Sequence, residues 1–168
     1  MQLNKFLSQQ FNATYNEANW FAPLKTIIQG MNGFEAFWKL NGKDNSVCNI
    51  ILHLTFWNER LLKQFKGEEV PKLDINNDVT FDGAAKKGYE DEMWKRIEKG
   101  FITLMDEFAL LISQATAEKL QSAVSAANKS TWAETLMHLN LHNAYHAGQI
   151  VTLRKAGEMW NAEKYGVA

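Results

Sequence analysis

The sequence predicts an all-α protein, a four-helix bundle forming one domain over residues 1–168. Three observations carry this. Only two prolines, Pro23 and Pro71, interrupt the 168 residues. Apolar residues recur at helical spacing through long proline-free stretches. Gly, Asn and Ser clusters then divide the chain into four long segments with three connections, the layout of a bundle. At 46% hydrophobic and 22% charged, a chain of this length can fill a single core. Its six Trp and ten Phe supply large side chains for that core or for a pocket within it.

The first segment is read over residues 4–29, with Leu3, Phe6, Leu7, Gln10, Phe11 and Tyr15 as its early stripe. Pro23 falls inside it, so a kink or a break into two pieces is expected. Gly30, Asn32 and Gly33 end it, and residues 34–43, carrying Phe37 and Trp38, form a connection. The second segment opens at Asn45 or Ser46, either of which can cap a helix, and runs to about Lys66. Val47, Ile50, Leu54, Trp57 and Leu61 recur at 3-4-3-4 spacing, which marks one buried face. Gly67 stops it. Residues 67–84 read as a long polar loop, either the border of a functional site or a plain surface excursion.

The third segment spans about 87–114, with Trp94, Ile97, Phe101, Leu104, Phe108 and Leu111 as its stripe. Residues 115–129 are rich in Ala, Ser and Asn and suggest a turn with a short strand or extended piece. The fourth segment starts at Ser130 or Thr131, with Glu134 placed to close a capping box. It continues to about Ala156, where Gly157 suits the C-terminal cap.

Several function classes are disfavoured by composition. The formal net charge is −1 and no basic run stands out, whereas phosphate neutralisation calls for a basic surface; no nucleic-acid partner is expected. The single cysteine, Cys48, excludes a disulfide framework within the chain. The first ten residues are too polar for a signal-peptide apolar region, and no apolar run is long enough to span a bilayer. A cytoplasmic location with no membrane partner is the default expectation.

The chemistry resides in the histidines. There are four, His53, His138, His142 and His146, and three fall in the run His138-Leu-Asn-Leu-His142-Asn-Ala-Tyr-His146. Spacing of four puts imidazoles one turn apart on one side of a helix. The buried stripe of the fourth segment runs through Trp132, Leu136, Leu139, Ile150 and Leu153. At roughly 100° per residue, His146 falls near its middle, His142 about 40° aside and His138 about 40° further. His142 and His146 therefore face the interior, and His138 approaches the surface. His53 lies on the flank of the second segment's stripe, from which it can reach a neighbouring helix. Bundles build metal sites from inward side chains on facing helices. Taken alone, His53 is an ordinary core residue and the H-x₃-H pair a weak motif. Together they point to a shared partner, because burying three imidazoles without one is costly.

The stretches Asn45-Ser-Val-Cys-Asn-Ile-Ile-Leu-His53-Leu-Thr-Phe-Trp57-Asn58, Trp132-Ala-Glu-Thr-Leu-Met-His138 and His142-Asn-Ala-Tyr145-His146-Ala-Gly148-Gln149-Ile150 resemble the DinB-like superfamily, which includes the metal-dependent hydrolases of the YfiT type. The resemblance covers nearly the whole chain. It implies an up-down-down-up bundle, commonly a homodimer. It also implies a divalent ion, often zinc or nickel, held by one histidine of the second helix and the H-x₃-H pair of the last. Carried over, the ligands are His53, His142 and His146, while His138 matches a position that is often histidine and not usually a ligand. Some members transfer a low-molecular-weight thiol, such as bacillithiol or mycothiol, onto electrophiles, and others are thiol-dependent isomerases.

Three neutral imidazoles leave a coordination position open, which separates a catalytic from a structural site. The expected function is therefore thiol S-transfer or metal-assisted hydrolysis on a small molecule. The alternatives are a metal-binding or stress-response protein without turnover, and a bundle whose histidines merely pack. Glu59, Asn58, Asn143 and Gln149 lie within reach of the imidazoles but read first as helix-surface polar residues. Trp57 and Tyr145 read as core before pocket lining. Cys48 reads as a small buried thiol before a fourth ligand. Gly148, costly inside a helix, suggests a close helix contact or room beside the metal.

Overall fold

The computed structural model describes residues 2–165; residue 1 and residues 166–168, at the ends of the expected domain span, lie outside the described residues. The long helices are α1 (Leu3–Tyr15), α4 (Val47–Phe65), α5 (Glu90–Gln114) and α7 (Trp132–Ala156). Shorter ones fill the connections, α2 (Leu24–Ile28), α3 (Gly33–Phe37) and α6 (Ala117–Gln121), and α8 (Ala162–Tyr165) follows α7.

Side-chain contacts fix the directions. Tyr15 and Phe11 of α1 meet Asp106 and Phe108 of α5, while Asn4 reaches the carbonyl of Ser113. α1 and α5 are therefore antiparallel. Phe65 and Lys66 at the end of α4 meet Phe108 and Glu107 late in α5, so these two run together. Phe65 also packs on Trp132 at the start of α7, and Asn58 pairs with Asn143 further along, so α4 and α7 are antiparallel. The order is up-down-down-up. Phe11, Phe101, Phe108, Trp94, Trp132, Leu54 and Ile150 form the centre of the core and are fully buried or nearly so.

Helix ends follow local chemistry. Ser46 caps α4, its hydroxyl accepting from the Asn49 N–H while Asn49 Oδ1 accepts from the Ser46 N–H. Thr131 and Glu134 close the same kind of box on α7, as the sequence indicates. The expected first segment is broken, and the break precedes the proline. α1 stops at Tyr15, where the N–H groups of Asn16 and Glu17 both turn back to the Asn12 carbonyl. Pro23 caps the start of α2, where its missing N–H costs nothing because first-turn donors have no helical acceptor. Residues 115–129 hold a helical turn, α6, capped by Thr116; the extended piece is confined to an isolated bridge between Ala123 and Thr131. Gly33 opens α3 against the start of α5, its N–H donating to Asp91. A Cβ there would run into the backbone of Glu90 and Asp91.

Candidate metal centre

α4 and α7 bring three of the four histidines to one point. His53 Nε2 lies 3.0 Å from His142 Nε2, and His146 Nε2 lies 3.1 Å from the same atom. One nitrogen from each ring falls within 4.8 Å of the other two. His53 and His146 are buried and His142 half-buried. His138 is exposed and stands on the rim of the adjoining cleft, outside this cluster, as its place on the helical wheel indicates.

Two of the outward nitrogens, those of His53 and His146, are fixed by partners that set the tautomers. Thr80 donates its hydroxyl proton to the Asn77 carbonyl at 2.6 Å, so its oxygen accepts from His53 Nδ1–H at 2.6 Å. Gln149 Oε1, an acceptor only, takes His146 Nδ1–H at 2.7 Å. Both rings then aim an Nε2 lone pair at the common point, and the Nε2 of His142 can donate to one of them at most. Burial, with the neighbouring imidazoles, pushes His53 down to about 4; burial first, then His146, does the same for His142. Burial also lowers His146, partly opposed by its bond to Gln149. Burial favours the neutral form of all three rings, with the Nε2 lone pairs of His53 and His146 fixed on the common point and that of His142 able to turn there in its other tautomer, the ligand state a divalent cation needs. Nitrogens at 2.0–2.1 Å from a tetrahedral ion would sit roughly 3.3 Å apart, close to the two separations observed. The residues fit a metal ion.

The loop 67–84 completes the site. Residues Asn77–Phe81 form a 3₁₀ turn, which Asn49 of α4 holds down by donating to the carbonyls of Phe81 (2.6 Å) and Gly83 (3.0 Å). The turn delivers Thr80 to His53 and stacks Phe81 on the same ring at a centroid distance of 3.9 Å. A cleft of about 690 Å³ lies over the cluster, lined by His53, His142, His146, Trp57, Phe81 and Tyr145 among others.

A family model described as the DinB superfamily matches residues 17–150. The chain belongs to the DinB superfamily. No curated protein and no solved structure matched the chain in the same comparisons. The match includes all three histidines of the cluster, Thr80 and Gln149, and leaves α1 outside it.

Some residues of this DinB-superfamily chain differ from their sequence reading, while Glu59 and Cys48 agree with theirs. Asn58 and Asn143 are not surface residues: both are 0% exposed, and their amides bond each other across α4 and α7 at 3.1 and 3.3 Å. They set the register of the two helices that carry the imidazoles. Glu59 is a surface residue paired with Lys63. Trp57 and Tyr145 line the cleft instead of the core; Tyr145 is 65% exposed, and Trp57 Nε1 donates to Asn77. Gly148 faces outward into open space, neither against a helix nor beside the histidines. Cys48 is a buried free thiol, pushed up to about 12 by burial and outside the cluster. Sequence reasoning missed Thr80, Phe81 and Asn49; the one available signal was the length of the 67–84 loop.

Proposed function

We propose that the protein is a metal-dependent enzyme of small molecules, using His53, His142 and His146 to hold one divalent ion, zinc or nickel. The carrying observation is the convergence of three Nε2 atoms, two of them, on His53 and His146, in tautomers set by Thr80 and Gln149. A divalent ion lowers the pKa of a water or thiol in contact with it and so makes a nucleophile at neutral pH. The chain's own part is to orient that chemistry. Thr80 and Gln149 lock the rings. Phe81 and Trp57 shield His53 on the cleft side. Tyr145, beside His146 at a centroid distance of 5.1 Å, borders the mouth. His53, His142 and His146 would supply three ligands, so a divalent ion held by them would keep a position for substrate, which favours turnover over storage. Transfer of a low-molecular-weight thiol onto an electrophile and hydrolysis both suit this arrangement, and the DinB-like resemblance weighs toward the first.

The test is protein purified under metal control, analysed for metal content, and assayed with a panel of thiols and a model electrophile. Metal-dependent turnover with one thiol supports transfer. Bound metal without turnover on any thiol or ester leaves a binding protein, and absence of metal removes the reading.

The working unit in this proposal is a homodimer. The outer face of α7 carries Met137, Leu141, Ala144, Gly148 and Val151 at 4-3-4-3 spacing, with Leu141 63% exposed and Trp20, 95% exposed, nearby on the loop between α1 and α2. This is a seam of the coiled-coil kind. Its first half is large and its second half small. A second copy running antiparallel about a two-fold axis sets Met137 and Leu141 against Gly148 and Val151, the self-complementarity such an interface requires.

A further inference from the structure

We propose that the cleft over the three imidazoles selects a ligand that is uncharged away from its reactive end, apolar along its middle and hydroxyl- or amide-bearing at its tip. This rests on the metal reading above and concerns what else the same site recognises. The cleft follows the groove between the antiparallel helices α4 and α7. Its far end is built by Asn128, Ser130 and Thr135. Thr135 lies seven residues before His142, about 10 Å along the helix axis.

Carboxylate, ammonium and guanidinium groups are missing from this surface. The chain has 18 Lys and Arg and 19 Asp and Glu, yet among the described residues none of these lines the cleft, whose one imidazole outside the metal cluster is that of His138 on the rim. The middle is walled by Leu61, Leu139 and Trp57. The indole N–H of Trp57 is already given to Asn77, so this side chain offers only its apolar ring. The tip is polar and has bonding capacity left over. Asn128 Oδ1 accepts from the Ser130 N–H, whereas the Asn128 amide nitrogen, the Ser130 hydroxyl and the Thr135 hydroxyl have no partner among the described residues. At the tip, about 10 Å along the helix from His142, a carboxylate, sulfonate or ammonium gives up part of its hydration and meets no Lys, Arg, Asp or Glu among the lining residues. A hydroxyl or amide exchanges water for the three side chains at little cost.

Cobalt(II)-loaded protein provides the test, because a thiolate reaching the ion gives an absorption band that needs no turnover. The probes are 6-mercaptohexan-1-ol, whose hydroxyl can span the roughly 10 Å from the ion to the tip, and 6-mercaptohexanoate, of equal length and anionic. The expected result is a band that saturates with the alcohol at a concentration at least about tenfold lower than with the carboxylate, since an unpaired charge is costly to desolvate. Thr135→Lys, which puts a cation at the tip, is expected to narrow or reverse that ratio. Equal saturation, preference for the carboxylate by the unaltered protein, or no band with either thiol overturns the inference while the cobalt spectrum of the protein alone keeps the metal reading intact. Failure to take up cobalt overturns the metal reading, and the inference with it.

Discussion

Thr80 shows how much of this site depends on a single hydroxyl. It spends its proton on the Asn77 carbonyl and so can only accept from His53. Thr80→Val keeps the shape and removes the acceptor. Loss of such an outer partner typically costs 10–100-fold in metal affinity, and that range is expected here in a competition titration against a chelator, with His53→Ala losing more. The imidazoles also set a pH response. Folding lowers His53 and His142 from 6.5 to about 4, so below 6.5 the unfolded chain takes up protons that the folded chain refuses. Their contribution to stability is therefore complete above pH 6.5 and lost as pH falls toward 4. Metal-free protein is expected to show a urea midpoint that drops through that window, and His142→Ala should flatten the drop. At this scale the sequence was readable where helical periodicity applied, since wheel angles alone separate His142 and His146 from His138. Thr80 was not, because it reaches His53 from a turn 27 positions along the chain, with no period to reveal it.

Among the elements, α4 is the organiser. Its Asn49 closes the cap with Ser46 and holds the 3₁₀ turn that carries Thr80 and Phe81. Its Asn58 joins Asn143 of α7. Asn143→Ala would leave the Asn58 amide oxygen buried without its partner, a loss of about 1–3 kcal/mol to be read from denaturant unfolding. Asn49→Ala is expected to free the 67–84 loop, seen as faster proteolysis within it and weaker metal binding, with the long helices retained by circular dichroism. Polar residues such as these read as surface positions because a wheel records hydrophobicity and not pairing. The first helix was misjudged for a related reason. Pro23 drew attention as the breaker, yet the chain leaves the helix eight residues earlier through backbone bonds to the Asn12 carbonyl, and the proline starts the next helix.

For the molecule as a whole, the bundle was legible because four amphipathic segments, a helix cap at Asn45 or Ser46 and a capping box at the start of the last segment agree with one architecture. α7 is the exception that blurred one residue. It is apolar toward the core and again on its outer face, so Gly148 looked interior when it points to open space. That second face predicts assembly. Leu141→Glu, at the middle of the exposed seam, is expected to convert dimer to monomer in light scattering after size exclusion while leaving metal content unchanged, since the seam lies apart from the Nε2 cluster.

The convergence of three imidazoles is tested most directly by X-ray absorption at the zinc edge of stoichiometrically loaded protein. Three histidine nitrogens at about 2.0–2.1 Å are expected, falling by one in His53→Ala or in His142→Ala. A spectrum with fewer than three imidazoles, or one that either variant leaves unchanged, would contradict the account.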